Sequence, residues 1–193
     1  MQKLAHFYHS IEELSPKEAK YHLSKYEKVV YPKKTTILKE GEVENYLYFI
    51  DKGIIRFFLN KIHPAEPSKE ITFSLLTENM FGSAYDSFIT RSPCSYNVKT
   101  VTDSELYRIH FDDLEELYTT TKISNYLGRI SAEQLYVRKM QREISLLTHS
   151  AEERYMNLLR SNPRLIQEVP LKHIASYIGI TPQALSRIRK QLL

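Results

Sequence analysis

The sequence predicts an α+β chain: an antiparallel sandwich or roll of short strands, then one long helix, then a helix-turn-helix at the C-terminus. Three observations predict it. From about Glu27 to His110, short β-branched and aromatic runs alternate with turn-forming residues. From Lys122 to Leu147 no proline interrupts an apolar stripe of coiled-coil spacing. From Leu171 to Lys190 two short helical patterns flank a glycine turn.

In chain order, a short helix is expected at roughly Ser10 to Leu23. Strand-like runs follow at Lys28–Tyr31, Thr35–Leu38, Tyr46–Ile50, Ile54–Leu59, Glu70–Phe73 and Glu105–Ile109. Gly41, Asp51-Lys52-Gly53, the His63–Ser68 stretch with Pro64 and Pro67, Gly82 and Ser92-Pro93 supply the turns between them. Six to eight strands at this spacing suit an antiparallel sandwich or roll.

After Phe111 the texture becomes helical, first over Asp112–Tyr118. In the long segment, Ile123, Leu127, Ile130, Val137 and Ile144 fall at spacings of four, three, seven and seven, with Gln134 and Gln141 at the missing seam positions. A helix of about 26 residues is far longer than the usual three turns, which favours a partner helix from a second subunit over packing on its own domain. Ser150-Ala-Glu-Glu153 is a capping box that starts a new helix, and Asn162-Pro163 ends it.

The most specific stretch lies within roughly residues 168 to 193. Ile174, Ala175 and Ile178 give its first helix an inner face, and Gly179 offers the positive φ that the helix end requires. Ala175 is small enough to let two steeply crossing helices approach. Thr181 is a good N-cap and Pro182 a good first helical residue, while Leu185 and Ile188 face inward. Thr181, Gln183, Ser186, Arg187 and Lys190 are left on the outer side. Gln suits adenine and Arg guanine in the major groove, and Gln183 and Arg187, one turn apart, would enter the same groove.

Charge supports nucleic acid as the partner. The net charge is +4, and residues 171–193 hold Lys172, Arg187, Arg189 and Lys190 without an acidic residue, leaving 23 basic against 23 acidic residues elsewhere. Lysine and arginine displace counterions from phosphates, so Lys172, Arg189 and Lys190 are expected on the DNA backbone. The single cysteine excludes an internal disulfide and any site that needs several thiolates from one chain. No apolar run approaches the roughly 18 residues that span a bilayer, and no signal-peptide pattern opens the chain, so a cytoplasmic protein is expected. The seven histidines show no metal-ligand spacing. No catalytic constellation stands in a convincing context, so no enzyme is expected.

At this point the sequence resembles the Crp/Fnr family of bacterial regulators over nearly its whole length. The matching pieces are Ile37-Leu38-Lys39-Glu40-Gly41-Glu42, Leu47 through Gly53, Asn79-Met80-Phe81-Gly82, Thr102 through Leu106, the helix 122–147, and above all Ile174 through Arg189. The resemblance implies a cyclic-nucleotide-binding-type double-stranded, jelly-roll-like β-roll over residues 1–121, a dimerisation helix over 122–148 and a DNA-binding domain over 149–193. It implies a homodimer on a palindromic duplex site, with RNA polymerase as a further partner. Gln183, Ser186 and Arg187 take the family's base-reading places.

Two departures qualify it. In cyclic-nucleotide binders of this type a Glu follows the Phe-Gly pair and a downstream Arg pair clamps the phosphate, whereas here Phe81-Gly82 precedes Ser83, and Cys94-Ser95 stand in the Arg place. The lost arginine contact is worth about 1.5 to 3 kcal/mol, with Arg91 the nearest substitute. Cyclic AMP is therefore not expected, and no cofactor is assigned. The chain also stops at Leu193, where familiar members continue into a small β wing, so some phosphate contacts are expected to be missing. The alternative is a ligand-sensing or protein-docking β-roll whose helix-turn-helix no longer binds DNA.

Overall fold

The computed structural model describes residues 1–9, 14–63 and 66–192. Helices α1 (Gln2–His9) and α2 (Pro16–Ser24) precede strands β1 (Glu27–Tyr31), β2 (Thr36–Leu38), β3 (Tyr46–Lys52), β4 (Ile55–His63), β5 (Glu66–Leu76) and β6 (Phe81–Gly82). Helix α3 (Tyr85–Thr90) leads to β7 (Asn97–Thr100) and β8 (Ser104–His110). Five helices close the chain after α4 (Phe111–Thr120): α5 (Lys122–Thr148), α6 (Ala151–Ser161), α7 (Pro163–Glu168), α8 (Leu171–Tyr177) and α9 (Pro182–Leu192).

The strands form two antiparallel four-stranded sheets, in the orders β1-β8-β3-β6 and β2-β7-β4-β5. Side-chain alternation explains why β3 is buried on both faces from Tyr48 to Ile50: Tyr48 and Ile50 enter the space between the sheets, while Phe49 faces the helices outside. Strand β8 divides likewise, with Leu106 inside and Tyr107 and Ile109 against α1, α2 and α4. A separate core joins Ile54, Leu75 and Val101 of the roll to Tyr155, Leu158, Ile174, Ala175 and Leu185. The C-terminal helices thus share an apolar core with the strands.

Several expectations are corrected. The N-terminal helix is two helices, and α2 starts at a capping box in which Glu18 N donates to Ser15 Oγ at 3.3 Å and Ser15 N to Glu18 Oε2 at 3.0 Å. The Ser10–Glu13 part of the expected helix lies outside the described residues, as do Pro64 and Ala65 of the expected turn. The rest of that turn is shorter than the prolines suggest, because β5 begins at Glu66 and includes Pro67. As the edge strand of its sheet, β5 tolerates a residue without an N–H. Asn162-Pro163 does end α6, but the same pair starts α7: Leu165 N donates to Asn162 Oδ1 at 3.3 Å, and proline sits in the first turn.

Candidate nucleic-acid interface

The two helices predicted around Gly179 are α8 and α9. Gly179 has φ +80°, and Ile180 N closes the turn on Ala175 O at 2.9 Å. A side chain larger than a methyl at Ala175, which is fully buried, would force the helices apart. Thr181 caps α9 by accepting from Ala184 N at 3.2 Å. Leu185, also fully buried, anchors α9 on α8. Opposite Leu185, helix α9 presents Gln183, Arg187 and Lys190 to solvent; Thr181 and Arg189 are also exposed, Ser186 is half-buried, and Lys172 is exposed on α8. Gln183 and Arg187 stand one helical turn apart on one exposed face.

Helix α8 is fastened to the edge strand β5. Thr72 N donates to Ser176 Oγ at 2.8 Å, so a helix hydroxyl occupies a bonding place that a further strand would take. Beside it Arg56, with its side chain only 4% exposed, reaches Glu70 at 2.6 Å, Thr72 Oγ1 at 3.3 Å and His173 Nδ1 at 2.5 Å. Its guanidinium also stacks on the Phe58 ring, 3.9 Å from the centroid. Donation by Arg56 requires Nδ1 of His173 to be unprotonated, and burial together with the Arg56 charge holds this imidazole down at about 4. Further along, Arg164 binds Glu78 at 2.7 Å, and Arg142 of α5 stacks on Tyr177 and donates to its carbonyl at 2.6 Å. The polar residues of α8 toward the roll, His173 and Ser176, were not singled out in the sequence. A polar pair three apart inside a helical pattern reads as solvent-facing until its partner strand is known.

Residues 28–121 match the cyclic nucleotide-binding domain family. Solved structures share the architecture over most of both chains. CLP, described as a c-di-GMP-responsive global regulator of Xanthomonas campestris, is 18% identical, with 90% of this chain and 89% of that one covered and a TM-score of 0.67. FixK2 of Bradyrhizobium japonicum is 16% identical, with 86% and 84% covered and a TM-score of 0.71. A Eubacterium rectale protein described as a transcriptional regulator of the crp/fnr family is 15% identical, with 93% and 84% covered and a TM-score of 0.70. The chain shares the fold of these proteins. Among curated proteins, none matches the sequence significantly.

Within this fold, the six residues at the expected nucleotide-site positions do not form a phosphate clamp. Phe81 and Gly82 pair with Phe49 and Tyr48 as β6. Ser83 donates its hydroxyl to Tyr46 O at 2.8 Å. Cys94 is buried among Leu38, Tyr48 and Val98, while Ser95 is exposed. Arg91, the expected substitute, caps α3 with φ +56° and donates to Glu44 O at 2.7 Å, with its guanidinium 4.2 Å from the Phe111 ring centre. The void left between the sheets is about 10 Å³, room for one water at most. The Cys94-Ser95 pair supplies no arginine for a cyclic phosphate, although Phe81, Gly82 and Ser83 border a cavity of about 610 Å³ against α5 and Gly82 and Ser83 also border this void.

That void borders a residue that sequence reasoning missed. Glu44 is 2% exposed; its Oε1 accepts from Tyr46 N at 3.0 Å, whereas its Oε2 has no partner among the described residues. Burial pushes its carboxyl up to about 7. The folded state therefore holds the proton more tightly than the unfolded chain. Stability is full below about pH 4.5 and falls as pH rises through 7, by about 3 kcal/mol once the group is ionised. Glu44→Gln should flatten this alkaline slope, as urea denaturation at pH 5 and pH 8 would show.

The expected helix seam is also redistributed. Ile123 and Leu127 pack on the core formed with α1, α2 and α4 rather than standing free, because α5 begins against its own domain. Ile130 is half-buried. Val137 and Ile144 are each 50% exposed, and they are joined by Met140 and Leu147, the last 80% exposed. The exposed apolar row is thus Val137, Met140, Ile144 and Leu147, and Gln134 and Gln141 are exposed as well. No helix among the described residues is long and apolar enough to cross a membrane.

Proposed function

We propose that the chain is a sequence-specific, DNA-binding transcription regulator acting as a homodimer. The observation that carries this reading is the outer face of α9. Gln183, Arg187, Arg189 and Lys190 are exposed together on a capped helix whose inner face is locked by Leu185. Gln183 and Arg187 would read base edges, and Lys172, Arg189 and Lys190 would bind phosphates. The exposed row Val137, Met140, Ile144 and Leu147, at spacings of three, four and three, supports pairing of two α5 helices. Two α9 helices would then enter successive major grooves, with half-sites about 34 Å apart. The family resemblance extends the reading to RNA polymerase as a partner at the promoter.

Binding to a labelled duplex measured across a salt series tests the electrostatic part. Each phosphate neutralised contributes about 0.9 to the slope of log affinity against log salt. Replacing Arg189 and Lys190 with alanine in both subunits should make the slope shallower by about 3 to 4, while an unchanged slope would remove α9 from the backbone contacts.

A further inference from the structure

The carbonyls at the end of α8 find their partners in two places. Within the turn, Ile178 N donates to Ile174 O at 2.9 Å, Ile180 N to Ala175 O at 2.9 Å and Gly179 N to Ser176 O at 3.1 Å. The next two carbonyls are taken by arginines from outside the helix-turn-helix. Arg142 Nη2 of α5 donates to Tyr177 O at 2.6 Å, and Arg154 Nε of α6 donates to Ile178 O at 2.7 Å. Cations are favoured there, because the terminal carbonyls of a helix carry its partial negative charge.

Arg142 is half-buried and has no carboxylate partner among the described residues; its guanidinium lies on the Tyr177 ring, 4.0 Å from the centroid. A planar group held by both a ring and a carbonyl fixes direction as well as distance. Leu146 of α5 reaches the same turn, its Cδ2 standing 3.4 Å from the place a Cβ on Gly179 would take. At about 100° per residue, Arg142 points about 180°, and Leu146 about 140°, away from the middle of the exposed row Val137, Met140, Ile144 and Leu147. One face of α5 is therefore free to pair, and the opposite face grips α8. The covalent path does not fix this arrangement, because His149 and Ser150, both extended, are the only link between α5 and α6.

We propose that Arg142 is the positioning residue that fixes the separation of the two reading helices, and with it the half-site spacing that the dimer accepts. The inference rests on the proposed reading of the chain as a DNA-binding homodimer. When two chains pair through the exposed row, the contact between Arg142 and Tyr177 sets how far each α9 stands from the pairing axis. A displacement of each α9 by about 1.7 Å along the duplex changes their separation by one base-pair step of about 3.4 Å. Arg142 acts through α8, without a contact to DNA of its own.

Binding of the full chain to duplexes that carry two copies of the half-site recovered by wild-type selection, with the spacing stepped by single base pairs around about 10, tests the proposal. Wild type should prefer one spacing over its neighbours by about tenfold, the equivalent of one charge-assisted contact. Arg142→Met keeps an aliphatic stem on Tyr177 and loses the donor, so the preference should fall to about threefold or less. Its affinity for a duplex with a single half-site, and its mass in sedimentation, should stay at the wild-type values. Arg142→Lys keeps the charge without the planar stack and should fall between the two. Where Arg142→Met fails to fold, Tyr177→Leu removes the stacked ring from the other side and carries the same expectation. A spacing preference that Arg142→Met retains in full, or a loss of affinity equal at every spacing, would overturn the role of Arg142 alone. Wild type that binds two half-sites no more tightly than one would overturn the homodimer reading beneath it.

Discussion

Replacing Gln183 and Arg187 together with alanine should remove about 2 to 6 kcal/mol of discrimination between the target site and random duplex, because each bidentate base contact supplies about 1 to 3 kcal/mol. Both side chains are exposed, while the buried residue of α9 is Leu185. The variant should therefore fold as well as the wild type and keep its salt-dependent, nonspecific affinity, which rests on Lys172, Arg189 and Lys190. Competition of a labelled target site against unlabelled random duplex separates the two quantities. Equal loss of specific and nonspecific binding would place the base readout elsewhere.

The second large effect is expected at the junction between α8 and β5. Glu70→Ala leaves the Arg56 charge buried, with Thr72 Oγ1 and His173 as its remaining polar partners among the described residues. Stranding a buried charge in this way costs about 2 to 3 kcal/mol, at the low end for such pairs because the Glu70 side chain is itself 43% exposed. Adding Arg56→Met should restore most of the loss, since the methionine can keep the packing on Phe58 without a charge to satisfy. Chemical denaturation of the two variants beside the wild type gives the comparison. Acid should act on the same junction through His173. Its folded-state value of about 4 lies below the ordinary 6.5, so its contribution is complete above about pH 6.5 and is lost as pH falls toward 4. A protonated Nδ1 would face the Arg56 guanidinium donor to donor. Faster amide exchange along α8 at pH 5 than at pH 7, once corrected for intrinsic rates, is the expected result.

The C-terminal segment was legible because each of its residues obeys a local rule. Gly179 needs a positive φ, Thr181 caps, Pro182 occupies the first turn and Ala175 permits a close crossing; none of these depends on the rest of the chain. The capping box at Ser150 was legible for the same reason, with Ser150 N donating to Glu153 Oε2 at 2.7 Å. The equivalent signal, Ser15-Pro-Lys-Glu18, stood in the sequence and marks the start of α2 more sharply than the apolar pattern did. The fate of the long helix was only half legible. Periodicity identifies apolar rows, but which row meets the chain's own core and which stays free is set by how α4 delivers the chain to Lys122. Ile123 and Leu127 thus face inward and Leu147 outward.

The roll's interior and the junction with α8 rest on contacts far apart in sequence, so they were not legible. Arg56 and His173 are 117 residues apart, and Thr72 and Ser176 are 104 apart. Glu44 looks like a surface acid in the Glu40–Asn45 run, and only the folding of α3 over it makes it a buried carboxyl. The same holds for Arg91. Its position three residues before Cys94 suggests a clamp, yet the left-handed turn at the end of α3 aims it at Glu44 O and Phe111.

Selection of bound sequences from random duplex DNA, with wild type beside Arg187→Ala at one stated salt concentration, tests the central claim most directly. A two-fold symmetric motif, with half-sites about one helical turn apart, that weakens or disappears with Arg187→Ala is the predicted result. Folded wild-type protein that enriches no motif, or an identical motif from the variant, would contradict it.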